Sequence, residues 1–217
     1  MKKKNILMVQ DDFMPPGGVN SVALWFIEAL KQEYHLSVLT WDDVEFESIN
    51  SFYGTSLKAT DIEVHRIPRW LRRLIALDPN PETIKKICVL MRYARRLKSE
   101  HDLLITATRE TDLGGGAIQY IHFPWFASLY RSLYSNRNML AHKLSQMKYL
   151  LSPWRLISGF SFERMKRNIT LVNSDWTGRQ VRDAYDMDTS TVYPPVLGIP
   201  GQIPWEKREN GFLCIGR

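Results

Sequence analysis

The residues able to do chemistry gather at a few places in this sequence, each just after an apolar run. Gly17-Gly18 follows Asp11-Asp12 and Pro15-Pro16. Two glycines carry no side chains, so their backbone N–H groups can approach the oxygens of a phosphate closely. A helix that begins there adds the positive end of its dipole. The same pair would also serve as a tight strand–helix turn that binds nothing. Asp11 and Asp12 offer carboxylates to substrate hydroxyls, or merely solvate the loop. Arg109, Glu110 and Asp112 stand after a second apolar run, and His122 closes a third. An imidazole at that place can hydrogen-bond a ligand, or be a satisfied core residue. Ser174 and Thr177 read first as a helix N-cap and first turn. The Asp and Glu residues show no metal-ligand spacing.

These residues need elements to hold them. Ile6-Leu7-Met8-Val9 reads as a buried parallel strand, and Pro15-Pro16-Gly17-Gly18 as a turn. Val19, Val22, Ala23, Phe26, Ile27 and Leu30 fall at helical spacing, and Leu36–Leu39 follows as a second strand. Trp41–Asp61 is expected to be loop with one short helix. Ile62–Ile67 alternates as a strand and stops at Pro68. Pro81 and Glu82 open a helix to about Ser99, with Ile84, Ile87, Cys88, Met91 and Ala94 on its core face. Asp102–Thr106 and Ile118–His122 are further strands, with Gly114-Gly115-Gly116 turning between them. The stretch 126–167 is helical in pattern, aromatic and basic, with a break at Pro153. Ile169–Val172 is a strand, a helix runs from Ser174 to about Tyr185, and Val192 lies in a last short strand before Pro194-Pro195. Alternation of strand and helix predicts an α/β fold, a Rossmann-like doubly wound parallel sheet with its ligands at the carboxyl ends of the strands.

Composition narrows the class. The 217 residues are 44% hydrophobic, enough for one large α/β domain, or one domain plus a fragment. Residues 1–196 read as that domain and 197–211 as a Pro/Gly-rich polar linker. Residues 212–217 read as the first strand of a second domain, which predicts a truncated two-domain protein. Cys88 and Cys214 lie far apart in apolar surroundings, as buried thiols of a reducing compartment would. No leader and no membrane-spanning segment is expected, which suits a cytoplasmic protein. The formal charge is +6, with a pI near 9.3. The excess falls in three clusters: Arg66, Arg69, Arg72 and Arg73 around Trp70; Lys85 to Lys98; and Lys143 to Arg167 around Trp154. Basic residues mixed with Trp and Leu suit a peripheral site on an anionic membrane surface, or are plain solvated helix faces. No nucleic-acid motif accompanies them, so nucleic acid is not an expected partner.

Several ordered blocks carry a family resemblance. Pro16-Gly17-Gly18-Val19 with its helix and His35-Leu36-Ser37-Val38-Leu39-Thr40 resemble the start of the retaining family 4, or group 1, glycosyltransferases of GT-B fold. Tyr120-Ile121-His122-Phe123-Pro124, Asn173-Ser174-Asp175-Trp176-Thr177 and Val192-Tyr193-Pro194-Pro195-Val196 are similar, in that order, to blocks of the α-1,2-mannosyltransferase-like members. Phe212–Arg217 resembles the first strand of that family's donor-binding domain. Asn20 stands where many members carry Glu.

The resemblance implies the N-terminal, acceptor-side domain of a GT-B enzyme whose second domain holds the nucleotide-sugar. The reaction would pass a hexose, mannose from GDP-mannose among the candidates, to a hydroxyl of a glycan or lipid-linked acceptor with retention of configuration. No cofactor and no metal would be needed. Gly17, Gly18 and Arg217 would meet phosphate, His122 would act near the reacting carbon, and Asp11, Asp12, Asn20 and Arg109 would face the acceptor. Without the family's lysine beyond Gly-Arg and the acidic pair of the second domain, this chain alone would be inactive. A non-enzymatic membrane- or partner-binding module is the alternative. A phospho-receiver domain is excluded, because neither the strand ending before Pro68 nor Leu103–Thr106 ends in Asp. A dinucleotide oxidoreductase is excluded by the absence of Gly-x-Gly-x-x-Gly after the first strand and of an acidic residue after the second.

Overall fold

The computed structural model describes residues 3–77, 82–125, 153–196, 204–207 and 211. Seven parallel strands form one sheet: β1 (Asn5–Val9), β2 (His35–Thr40), β3 (Ile62–Arg66), β4 (Leu103–Thr106), β5 (Ile118–Ile121), β6 (Ile169–Val172) and β7 (Ser190–Thr191). Their order is β3-β2-β1-β4-β5-β6-β7. The helices are α1 (Gly18–Leu30), α2 (Phe46–Tyr53), α3 (Arg69–Ala76), α4 (Glu82–Leu97), α5 (Pro153–Ser158), α6 (Phe162–Lys166) and α7 (Asp175–Tyr185). The doubly wound parallel sheet expected from the alternation is the one observed.

Each central strand feeds two cores, because successive side chains point to opposite faces. Ile6 and Met8 join Val22, Leu24 and Ile27 of α1 and Ile49 and Tyr53 of α2. Leu7 and Val9 face the other way, onto Ile75 of α3 and Ile87, Leu90 and Met91 of α4. A third cluster joins Ile121 and Val172 to Met165, Val181 and Tyr185. Each aliphatic side chain so buried contributes about 2 kcal/mol of transfer free energy.

Chain order reverses between β1 and β4, which are direct neighbours with Met8 opposite Ile105. This topological switch opens a crevice at the carboxyl ends of the two strands, where open α/β sheets bind ligands. The loop from Gln10 to Gly17 leaves β1 there, and the loop from Ala107 to Ala117 leaves β4.

Some elements differ from expectation at their ends. The last strand is Ser190–Thr191, and Val192 only prolongs its ladder, its N–H donating to the Val172 carbonyl at 2.9 Å. β5 stops at Ile121, leaving His122 just beyond it. Pro153 opens a helix, as its fixed φ and missing N–H permit at a first helical position. The helical pattern over 126–152, most of the linker at 197–211, and the strand at 212–217 lie outside the described residues. Cys88 is buried, and Cys214 lies outside the described residues.

Four members of the basic clusters are engaged by internal partners rather than lying on a solvated face, while Arg69 and Arg73 stay exposed. Lys85 is buried, with its ammonium donating to the Ile75 carbonyl at 3.1 Å. Arg95 donates to the Asp112 carbonyl at 2.7 Å and also to the Ser158 carbonyl. Lys98 binds the Gly114 carbonyl at 3.0 Å, and Arg164 binds the Asp112 carboxylate. Contacts of this kind separated by 10 to 63 residues leave no trace in local composition.

Candidate functional site

The crevice is built from four loops at the carboxyl edge. In the first, α1 begins at Gly18 with no side-chain cap on its N-terminus, and Gly17 is extended at φ −172°. The Gly17 N–H is already engaged, donating to the Tyr53 hydroxyl at 2.7 Å. The N–H groups without a side-chain cap are therefore those of the first turn of α1, beginning at Gly18. A Cβ built on Gly18 would meet no atom within 4 Å, so the space above this turn is open.

Asn20 turns inward. It is 8% exposed, accepts from Gln10 Nε2 at 2.8 Å and donates to the Pro15 carbonyl at 3.1 Å. Gln10 Nε2 also reaches the Asp12 carbonyl at 3.3 Å. Asn20 thus shapes the glycine turn from beneath. Gln10 is fully buried, and its Oε1 has no partner among the described residues.

Asp11 and Asp12 each face a cation. The Asp12 carboxylate lies 3.3 Å from Lys86 Nζ, which also sits 3.5 Å from Asp42 and over the Trp41 ring. Burial and the charge of Asp11 push the Asp12 carboxyl above its usual range, against the pull of Lys86. Asp11 lies 3.8 Å from Arg109 Nη2. The Arg109 guanidinium stacks over Trp125 at 5.1 Å from the ring centre, and its buried Nε has no partner among the described residues.

His122 is half-buried beside Tyr120, with ring centres 4.9 Å apart. Its Nε2 lies 3.0 Å from the Ala107 carbonyl. A carbonyl can only accept, so Nε2 carries the proton and Nδ1 keeps its lone pair. Burial holds the imidazole below its ordinary pKa, the Ala107 bond opposing weakly, so the ring is neutral at pH 7. A neutral ring with a free Nδ1 can accept a hydrogen bond from a substrate hydroxyl.

Past β6, the Ser174 hydroxyl caps α7 by accepting the Thr177 N–H at 3.2 Å. Asn173 Oδ1 accepts from the Thr177 hydroxyl at 2.6 Å. Asp175 accepts from the Thr191 and Tyr193 hydroxyls, which hold its carboxyl below the usual range. Trp176 stacks on Phe123 with ring centres 6.2 Å apart, both rings about half exposed beside His122.

Glu110 and Asp112 do not line the crevice. Both are fully buried. Glu110 accepts from the Tyr185 hydroxyl at 2.6 Å. Asp112 takes N–H bonds from Gly114 at 3.0 Å and Ser161 at 2.8 Å, as well as the Arg164 guanidinium. Arg217 lies outside the described residues. Among the described residues, no group of three His, Cys, Asp or Glu side chains is placed to hold a metal, and no helix is long and apolar enough to cross a membrane.

A further hollow of about 700 Å³ lies at the other edge of the sheet, at the amino ends of β1, β2 and β3. Lys3, His35, His65 and His101 are among the residues that line it. Its wall is strand starts, where such sheets rarely place their chemistry.

No protein-family model matches the chain. No curated protein matches it either. Solved structures do. The chain is similar to TcCGT1 in complex with UDP, at 13% identity and a TM-score of 0.51, over 93% of this chain and 54% of that one. Its fold is that of one half of a GT-B glycosyltransferase. Phytolacca americana UGT2 complexed with UDP-2-fluoro-glucose and pterostilbene matches at 15% identity and a TM-score of 0.49, over 88% of this chain and 54% of that one. Medicago truncatula UGT71G1 complexed with UDP-glucose matches at 15% and 0.47, over 88% and 52%. The chain spans about half the length of these solved structures.

Sequence reasoning missed Gln10, Tyr53, Lys86, Trp125 and the Phe123–Trp176 stack. Gln10 was legible in principle, as the first polar residue after an apolar strand. Tyr53 and Lys86 were not, since they reach the glycine turn and Asp12 from 36 and 74 residues away.

Proposed function

We propose that the chain is the acceptor-side domain of a retaining group 1 glycosyltransferase. It passes a hexose from a nucleotide-diphospho-sugar to a hydroxyl of a glycan or lipid-linked acceptor, and GDP-mannose is the donor to test first. Residues 1–196 form the acceptor-side domain, 197–211 the linker, and 212–217 the start of the donor-binding domain. The protein works in the cytoplasm, at the face of a membrane that carries its acceptor.

The observation that carries the reading is the uncapped start of α1 at the β1/β4 switch point, beside the buried Oε1 of Gln10 and Nε of Arg109, which have no partner among the described residues. A crevice with free N–H groups, a guanidinium and an unpaired acceptor suits a phosphorylated sugar. The fold likeness to UDP-bound TcCGT1 supports the same class.

In this mechanism the turn at Gly18 and Arg109 stabilise negative charge on the departing diphosphate, with Arg217 adding a fixed charge to the same group. Charge stabilisation of this kind supplies most of the rate in such transfers, and no protein nucleophile is needed. His122 Nδ1 accepts a hydrogen bond from a sugar or acceptor hydroxyl and orients it. Asp11 and Asp12 present carboxylates to acceptor hydroxyls, each leaning on its cation.

The test is a panel of nucleotide-sugars on the full-length protein, read by donor hydrolysis and thermal shift, with Gly18→Ala beside it. The alanine meets no atom in the fold and φ there is not left-handed, so unfolding stays unchanged. Donor turnover that falls at least tenfold in Gly18→Ala supports the site. No response to any donor would move the non-enzymatic module to the front.

A further inference from the structure

Helix α3 has two apolar faces, and only one has a structural use. Leu71 and Ile75 point into the core beneath the sheet. Trp70, Leu74 and Leu77 point outward, 66%, 55% and 80% exposed. Their spacing of four and three residues makes one stripe along the helix. Arg69 and Arg73, both exposed and four residues apart, run beside that stripe. An eight-residue helix that, with its capping residue Leu77, places Trp and two Leu in water next to two arginines has the composition of an interfacial anchor.

The helix is fixed in place from its inner side. Arg72 donates to the Trp41 carbonyl at 3.1 Å and lies 3.6 Å from Asp42. Lys85 binds the Ile75 carbonyl in the last turn of α3. The outer stripe is therefore presented on a rigid body. Four basic groups of the other clusters are engaged elsewhere. Lys85, Arg95, Lys98 and Arg164 are committed to internal carbonyls and to Asp112. The Trp154 side chain lies outside the described residues.

We infer that α3 docks the protein on an anionic lipid bilayer, with Trp70, Leu74 and Leu77 entering the acyl boundary and Arg69 and Arg73 meeting lipid phosphates. Charge complementarity selects this occupant, because the apolar stripe is bordered by two exposed cations with no ion-pair partner among the described residues, in a chain of net charge +6. Docking in this way sets the Asp42–Lys86–Asp12 group, and with it the switch-point crevice, close to the bilayer surface. Vesicle binding needs no turnover, so this inference and the glycosyl-transfer reading can fail separately.

The experiment is vesicle flotation of the full chain. One set of vesicles is pure phosphatidylcholine and the other contains about 30% phosphatidylglycerol. The protein should float with the anionic set at about 50 mM salt and be released at about 500 mM. Arg69→Gln with Arg73→Gln should weaken binding about 25-fold, near fivefold for each charge. Leu74→Gln with Leu77→Gln should weaken it at least tenfold. Both double variants change only outward side chains, so their unfolding midpoints should match the parent. Equal binding to neutral vesicles, or anionic binding that survives both variants, would overturn the inference. So would self-association abolished by Leu74→Gln with Leu77→Gln, which would assign the stripe to a second copy of the chain.

Discussion

Gln10 Nε2 donates to Asn20 Oδ1 at 2.8 Å, and this one bond ties the end of β1 to the first turn of α1. With the Asn20–Pro15 bond it closes the loop that carries Asp11, Asp12 and the glycine turn. Asn20→Leu fills the space but leaves Gln10 and the Pro15 carbonyl without their partner. The expected loss is about 2 kcal/mol of stability. Asn20→Asp keeps the acceptor and loses the donor, and should fall between. Urea unfolding of the three proteins checks the order, and the nucleotide-sugar response should decline in the same sequence.

Asp112 is the most heavily bonded carboxylate described. Burial alone would raise its pKa, but bonds from Arg164, Gly114 and Ser161 and the charge of Arg95 hold it below the usual aspartate range. Its folded value lies under the ordinary one of about 3.9. The stability it supplies is therefore intact above about pH 4 and is lost as pH falls through the lower folded value. Asp112→Asn should cost about 2–3 kcal/mol at pH 7, the low end for a buried pair because Arg164 reaches solvent. Chemical denaturation at pH 7 and pH 3 should show the gap between variant and parent closing on acidification.

His122 acts in a different window. Its folded pKa lies below the ordinary 6.5 or so, and the unfolded chain takes up the proton first as pH falls. Stability should accordingly decline from about pH 6.5 downward, where Asp112 is still ionised. His122→Gln keeps a donor for the Ala107 carbonyl and cannot titrate. Thermal melts between pH 7 and pH 5 should slope less in the variant than in the parent.

Gly115 has φ +78°, and a Cβ there would sit 3.3 Å from Arg167 Nε. Gly115→Ala should cost about 1–2 kcal/mol, from the left-handed backbone alone. Gly18→Ala is the contrast, a glycine replaced without penalty. A differential scan of both variants reads the difference directly.

The strands were legible because each is a short apolar run bounded by turn residues, and Ile6-Leu7-Met8-Val9 or Ile169–Val172 leave little choice. The Ser174 cap was legible for a local reason, its hydroxyl needing a partner only three residues away. What composition could not show is which cations are already taken. Lys98 and Arg95 look as free in the sequence as Arg69 and Arg73, yet fold-distant carbonyls of Gly114 and Asp112 hold the first two. Asn20 shows the same limit at the site. Its place beside two glycines suggested contact with an acceptor, whereas its side chain spends both ends on Gln10 and Pro15.

The sheet's two outermost strands have a consequence for how this protein meets others. At one margin β3 turns Glu63 and Arg66 outward, with Arg66 bridged to Asp43 at 2.7 Å. At the other, β7 is two residues long, and Pro194-Pro195 follows shortly after. Charge on one flank and brevity on the other deny an incoming strand the unbroken row of main-chain donors and acceptors on which amyloid-like stacking and strand exchange begin. A sheet ended in this way among the described residues leaves recognition to side chains and helix faces.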